Sequence, residues 1–65
     1  MNNKKTITIL GYEMTEEEYN EAVKELKEGF DTLWVTMPEG LRQRLIVSQV
    51  DMKRLVKKLS EKTNP

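Results

Sequence analysis

The sequence predicts a small α+β fold, in which a three-stranded mixed sheet with the element order β-α-β-β-α carries two helices packed on one face. Three observations support it: an alternating β-branched segment near the start, a turn motif in the middle, and two helix-capping patterns. The 65 residues are expected to form one domain, 1–65, with disordered tails at 1–5 and 62–65. A chain of this size is near the lower limit for a self-sufficient core, so self-association is expected.

The first element is predicted from residues 6–10, TITIL, where Ile7 and Ile9 share one face of an alternating segment. Such alternation of β-branched residues is typical of a half-buried strand. Gly11 follows directly and is expected to end the strand, because glycine is favoured in turns.

The first helix has the clearest signals in the sequence. Thr15 is a favourable N-cap, and Glu18 stands three residues later, where its carboxylate can accept a hydrogen bond from the backbone of the cap. Gly29 is expected to end the helix in a left-handed conformation. An apolar stripe at helical spacing lies between these ends and comprises Tyr19, Ala22, Val23 and Leu26.

Residues 33–47, LWVTMPEGLRQRLIV, are predicted to form a β-hairpin. Pro38 suits the first position of a turn, and Gly40 suits a left-handed position that closes it. The resulting register places Trp34 opposite Arg44. One face of the hairpin then holds Leu33, Val35, Met37, Leu41, Leu45 and Val47 with Gln43, and the other holds Thr32, Trp34, Thr36, Arg42, Arg44 and Ile46.

The second helix is predicted to begin at Ser48 or at Asp51. Ser48 is preferred as the N-cap, because Asp51 then occupies the position of a capping-box acid, although Val50 falls off the apolar stripe. The stripe itself comprises Met52, Leu55, Val56 and Leu59. Each helix has one apolar side and needs one apolar surface, which the face with Leu33 and Val35 supplies. Whether the first strand lies beside the second or the third stays open.

The composition excludes several kinds of site. The chain has no cysteine and no histidine, which rules out disulfides, thiolate zinc sites and His-activated nucleophiles. Neither an apolar run of ~20 residues nor a basic leader with an apolar segment is present, so a cytoplasmic protein is expected. No enzymatic activity, cofactor, metal or small-molecule substrate is expected, because a short chain has little volume for a pocket.

The predicted helix placement leaves one sheet face uncovered, and this face is the first candidate site. It would present Leu10, Trp34, Arg42, Arg44 and Ile46 to a partner. A contiguous exposed apolar group is typical of an interface, and Trp and Arg are enriched at binding hot spots. The first hypothesis is therefore a protein-binding module, expected as a homodimer, that acts by covering a partner surface.

Uneven charge supplies two further hypotheses. Residues 1–33 contain eight acids and four lysines, a net charge of about −4, whereas residues 34–65 contain three acids and seven basic residues, about +4. The basic half suggests a nucleic-acid-binding module as the alternative, although the neutral total charge opposes it. Its residues would be Arg42, Arg44, Arg54, Lys57 and Lys58. A third hypothesis is an acidic decoy formed by Glu17, Glu21 and Glu25.

The small size, the Lys/Glu-rich composition and the absence of cysteine resemble the accessory proteins of bacteriophages and mobile elements. That resemblance rests on composition and covers no motif. It implies a protein that binds another protein and inhibits or modulates it. The element order β-α-β-β-α also resembles small nucleic-acid-binding α/β modules, although such an order is too common to indicate a function.

Overall fold

The structure is a computed structural model that describes residues 5–63. Over this range the chain forms the strands β1 (Thr6–Ile9) and β2 (Tyr12–Thr15), then the helices α1 (Glu16–Phe30), α2 (Thr32–Thr36) and α3 (Glu39–Thr63). The predicted α+β class is confirmed. The predicted three-stranded sheet is wrong, because the sheet in the described range has two strands and the order is β-β-α-α-α. Of the predicted tails, residues 1–4, 64 and 65 lie outside the description, whereas 62 and 63 belong to α3.

A tight hairpin forms the start of the fold. Leu10 and Gly11 connect the two strands with φ angles of 53° and 78°. Positive φ at both positions is the geometry of the two-residue turn that matches the twist of antiparallel strands. The predicted strand is therefore confirmed as far as Ile9, whereas β2 was not predicted. The cross-strand pairs on the covered face are Ile7 with Met14 and Ile9 with Tyr12.

The start of α1 confirms the predicted capping box. The backbone N–H of Glu18 donates to Oγ1 of Thr15 at 3.1 Å, and the backbone N–H of Thr15 donates to Oε1 of Glu18 at 2.8 Å. The predicted stripe faces the interior, where Ala22 and Leu26 are buried. The backbone N–H groups of Thr15 and Glu18 are therefore both hydrogen-bonded within the box, and the helix begins directly after β2.

The predicted end of α1 at Gly29 is wrong. The helix continues through Phe30, and the backbone N–H of Asp31 donates to the Lys27 carbonyl at 2.7 Å. Asp31 takes the positive φ, 57°, that was expected of glycine. Its ψ of −128° lies outside the left-handed helical region in which aspartate is most often found at positive φ, and α2 follows at once.

The predicted hairpin at residues 33–47 is also wrong, because nearly all of this stretch is helical. Residues 32–36 form the single turn of α2, and the carbonyl of Pro38 accepts a hydrogen bond from the Arg42 N–H at 3.0 Å, which starts α3. Proline has no N–H to leave unpaired and a φ suited to helix, so it fits a helix start as well as a turn. Gly40 lies in the first turn of α3 and has no positive φ.

Both predicted starts of the second helix are wrong, since α3 runs unbroken through Ser48 and Asp51. Val50, which fell off the predicted stripe, is 1% exposed and belongs to the core. Ile46 lies one helical turn before it and is also buried. The side of α3 that contains these two residues therefore packs against the rest of the chain.

The core forms where α1, α2, α3 and the hairpin meet. Trp34 is 4% exposed, whereas its neighbours Leu33 and Val35 are 62% and 69% exposed. The prediction was the reverse, with Leu33 and Val35 covered and Trp34 exposed. In the single helical turn of α2, one of three consecutive side chains can point inward while the other two point to solvent. The buried apolar residues of the described range are Ile9, Met14, Ala22, Leu26, Trp34, Ile46 and Val50.

Candidate functional site

The structure does not bring the five predicted contact residues to one exposed surface. Trp34 and Ile46 are buried in the core, so the expectation that they face a partner is wrong. Leu10 is exposed in the hairpin turn. The predicted placement of Arg44 across from Trp34 is also wrong: the guanidinium over the indole belongs to Arg42, 6.0 Å from the ring centroid, and Arg44 is exposed.

A different apolar surface is exposed on α3. The side chains of Met52, Leu55, Val56 and Leu59, which we call the α3 stripe, are 62%, 56%, 59% and 55% exposed. Their spacing of three, four and seven residues places them on one side of the helix, since successive residues are ~100° apart. The same geometry places the stripe opposite the buried side that contains Val50.

The α3 stripe was recognised in the sequence as an apolar set, but it was expected to cover the sheet. In the structure the core packs instead against the opposite side of α3, through Ile46 and Val50. Towards the helix start the same side of α3 continues through Leu45, which is partly buried and packs against the core, and Leu41, which is 45% exposed. Scattered exposed apolar residues are ordinary, whereas a continuous row of this length is typical of an interaction surface.

Arg54 holds α3 against the hairpin and the start of α1. Its Nε donates to Oε2 of Glu18 and its Nη2 to Oε1 of Glu18, both at 2.7 Å. Nη1 donates to the Tyr12 hydroxyl at 3.1 Å, and Nη2 also donates to the Glu13 carbonyl at 3.1 Å. The Tyr12 hydroxyl in turn donates to Oδ1 of Asp51 at 3.2 Å. Arg54 therefore joins three elements, which fixes the position of the helix segment that bears the stripe.

These contacts change the protonation of Glu18. The hydrogen bonds from Arg54 lower the pKa of the Glu18 carboxyl from 4.5 to about 2, against a smaller opposing effect of burial. The same pair raises the pKa of Arg54. Glu18 thus stays ionised in the folded chain down to strongly acidic pH.

Lys53 makes a second bridge between α3 and α1. Its Nζ lies 2.9 Å from Oε2 of Glu25 and 3.1 Å from Oε1 of Glu21, and Gln49 donates to Oε1 of Glu25 at 2.8 Å. Hydrogen bonding to Glu25 raises the pKa of Lys53, and the same contact lowers the pKa of Glu25. Because Glu25 lies near Gln49 and Glu18 near Arg54, α1 and α3 run antiparallel.

This charge pairing bears on the two electrostatic hypotheses. Arg54 is engaged by Glu18, and Glu21 and Glu25 are engaged by Lys53, so part of each proposed set is used within the fold. Lys57 and Lys58 are exposed. A nucleic-acid role for the basic set and a decoy role for the acidic set remain predictions.

The Arg54–Glu18 pair makes a prediction about acid stability. A carboxyl group with a lower pKa in the folded chain stabilises the fold above its unfolded pKa, and that stabilisation is lost as the pH falls through the folded value. Relative to Arg54→Met, the wild-type chain should be more stable by about 1 kcal/mol at pH 7, a value limited by solvent exposure of the pair. The advantage should shrink between pH 4.5 and pH 2. Urea denaturation at both ends of this range measures it.

Glu18→Gln is the matched control for this prediction, because glutamine can also complete a capping box. The double variant with Arg54→Met should cost little more than either single variant, since both remove the same ion pair. A pH-independent difference between wild type and Arg54→Met would contradict a role for this pair.

A groove of about 750 Å³ is lined by residues of α1 and α3. Its charged lining includes Glu18, Glu21, Lys53 and Arg54, which are paired between the two helices, and the stripe residues Met52 and Val56 form part of its wall. Within residues 5–63 no group of three or more acidic side chains is arranged to hold a metal ion. No helix in the same range is both long enough and apolar enough to cross a membrane.

Comparisons of the chain with protein-family models, with curated proteins and with solved structures found no match.

Proposed function

We propose that this chain is a non-enzymatic protein-binding module that contacts its partner through the α3 stripe. One observation carries the proposal: four large apolar side chains, each more than half exposed, form a row on the side of α3 opposite the core. The core does not use this row. Binding to another protein is the ordinary reason for a continuous apolar surface that packing within the chain leaves open.

The spacing of the stripe indicates how it binds. Apolar residues at positions i, i+3, i+4 and i+7 are the contact pattern of a helix that packs on a groove or on a second helix. Completing the burial of four such side chains contributes on the order of 5 kcal/mol. Association costs at least as much in lost freedom of motion, so the partner must supply an apolar surface of its own.

The proposed mode of action is occlusion. Arg54 and Lys53 anchor α3 to α1 beside the stripe, so the binding segment is held in its bound conformation before contact. A partner surface covered by this segment is unavailable to other molecules, which is how a small accessory protein inhibits or modulates another protein. The absence of histidine and cysteine from the chain fits a role without catalysis.

The nucleic-acid alternative has weaker support. Of its five residues, Arg54 is held by Glu18 and Arg42 is partly buried over Trp34. The remaining three are exposed, but the chain as a whole has no net charge. Phosphate binding depends on a basic surface, whereas the α3 stripe is apolar, so we favour the protein partner.

Site-specific photo-crosslinking in cells tests this proposal. A photoreactive phenylalanine analogue replaces Leu55 in the stripe in one variant and Leu33 in the other. Leu33 is a matched control because it is at least as exposed as Leu55, at 62% against 56%, but lies on α2. We expect covalent protein adducts at position 55 and few at position 33.

The adducts must also depend on the apolar surface. Adding Leu59→Glu to the Leu55 variant should abolish them, because a carboxylate in the stripe must be desolvated on binding. Equal adduct yields at positions 33 and 55, or no adducts at position 55, would overturn the proposal.

A further inference from the structure

We propose that the partner of the α3 stripe is a second copy of this chain, packed so that the two α3 helices run antiparallel. This inference rests on the proposed function, because it assigns an occupant to the same stripe. Three features of α3 support it: the repeat of its apolar residues, the charges beside them, and the length of the exposed side.

The repeat is that of a two-helix interface. Leu45, Met52 and Leu59 are seven residues apart, and Ser48 and Leu55 lie three residues after the first two. Alternating steps of three and four residues are the pattern by which one helix packs its side chains between those of another. Ser48 is small, so it leaves room for a larger side chain of the facing helix.

The charges beside the repeat select the antiparallel direction. Asp51 and Lys58 both lie immediately before a core position of the repeat, on the same flank. In an antiparallel pair the like flanks of the two helices face each other, so Asp51 of each chain faces Lys58 of the other. The opposite flank contains Gln49 and Val56 and brings no charges together. Interhelical charge pairs of this kind set orientation.

A parallel pair lacks these contacts. It would place Asp51 beside Val56 and would bring the basic ends of both helices together, where Lys57 and Lys58 repel their counterparts. Asp51 remains able to accept a hydrogen bond from Lys58 of a second copy, because it is exposed and a carboxylate has several acceptor positions.

The length of the exposed side suits a reversible dimer. From Leu41 to Leu59 it extends over about 27 Å of helix, and α3 continues nine residues beyond Arg54 to Thr63. Two helices that overlap over such a length reach the lower end of the area buried in specific interfaces. The dimer is therefore expected to depend on concentration.

Sedimentation equilibrium of the purified full chain tests the inference. Over micromolar to millimolar concentrations the mass should rise from 7.6 kDa towards twice that value. Leu55→Glu should hold the mass at that of the monomer and keep the helical circular dichroism, because Leu55 is exposed in the folded chain. Leu33→Glu is the control and should associate like wild type.

A charge exchange tests the direction. Asp51→Lys alone and Lys58→Asp alone should each weaken self-association roughly tenfold, since each replaces two attractive contacts with two repulsive ones. An equal mixture of the two variants should form a heterodimer close to wild type in affinity, because both contacts then join opposite charges. If the mixture associated no more tightly than either variant alone, the antiparallel arrangement would be overturned.

The outcomes separate this inference from the proposed function. A wild-type chain that stays at 7.6 kDa at every concentration overturns self-association. If position 55 then still forms adducts with other proteins in cells, the protein-binding function stands with a different partner. Adducts of twice the chain mass at position 55, absent from position 33, would support the dimer.

Discussion

Replacing Trp34 with alanine is expected to unfold most of the chain. The indole is 4% exposed and packs in the core with residues from all the main elements of the fold. Removing a buried Trp side chain costs about 3–5 kcal/mol. Natural domains are stable by only about 5–15 kcal/mol, and small ones lie at the low end. Far-ultraviolet circular dichroism during urea denaturation measures the loss.

Leu33→Ala is the matched control for Trp34, because its side chain is adjacent in sequence but points to solvent. This substitution should change the free energy of unfolding by no more than about 0.5 kcal/mol. If Trp34→Ala left the denaturation midpoint unchanged, the indole would have to lie at the surface, as the sequence first indicated. The core assignment would then be wrong.

Ser48→Pro is expected to have the second largest effect. Ser48 lies in the interior of α3, and proline there removes a backbone hydrogen bond and clashes with the preceding turn, at a cost of about 3 kcal/mol. The break falls between Ile46 and Val50, so it also disturbs the packing of both buried residues. Thermal denaturation followed by circular dichroism should show a lower midpoint and less helix.

Ser48→Ala distinguishes a helix interior from a helix start. At an N-cap, loss of the serine hydroxyl costs about 1 kcal/mol. In an exposed helix interior alanine is the better helix former, so the variant should be as stable as wild type or slightly more stable. Destabilisation by alanine, together with tolerance of proline, would return the helix start to Ser48.

The parts of the fold that depend on neighbouring residues were predictable. Thr15 and Glu18 satisfy each other within one helical turn, so their pattern predicts the helix start without knowledge of the rest of the chain. Alternation of Ile7 and Ile9 predicts β1 in the same way. The partner strand was missed because Leu10–Gly11 is a weak hairpin signal compared with Asn–Gly.

The middle of the chain was misread because its local signals fit two structures. Pro38 and Gly40 suit a hairpin turn, but a proline also starts a helix. The alternation around Trp34 resembles a strand over only five residues, too few to exclude one turn of helix. The helical spacing of Ile46 and Val50 crosses Ser48, and giving it more weight than the serine would have indicated one continuous α3.

The candidate site was predictable in its composition but not in its exposure. The sequence groups Met52, Leu55, Val56 and Leu59 on one side of a helix, and the structure confirms that grouping. Which side of α3 the core covers depends on contacts with α1 and the hairpin, which are distant in sequence. Reading 39–63 as one helix would have shown two apolar sides, of which a small core can cover one.

The position of the single tryptophan allows folding and assembly to be followed by separate signals. Trp34 is the only indole in the chain and lies in the interior, whereas the α3 stripe has no aromatic side chain. Its fluorescence therefore reports the integrity of each monomer and is insensitive to what covers the far side of α3. Light scattering measures the mass of the particle and therefore follows assembly. A variant that changes the fluorescence has lost folding, whereas a variant that changes only the mass has lost assembly.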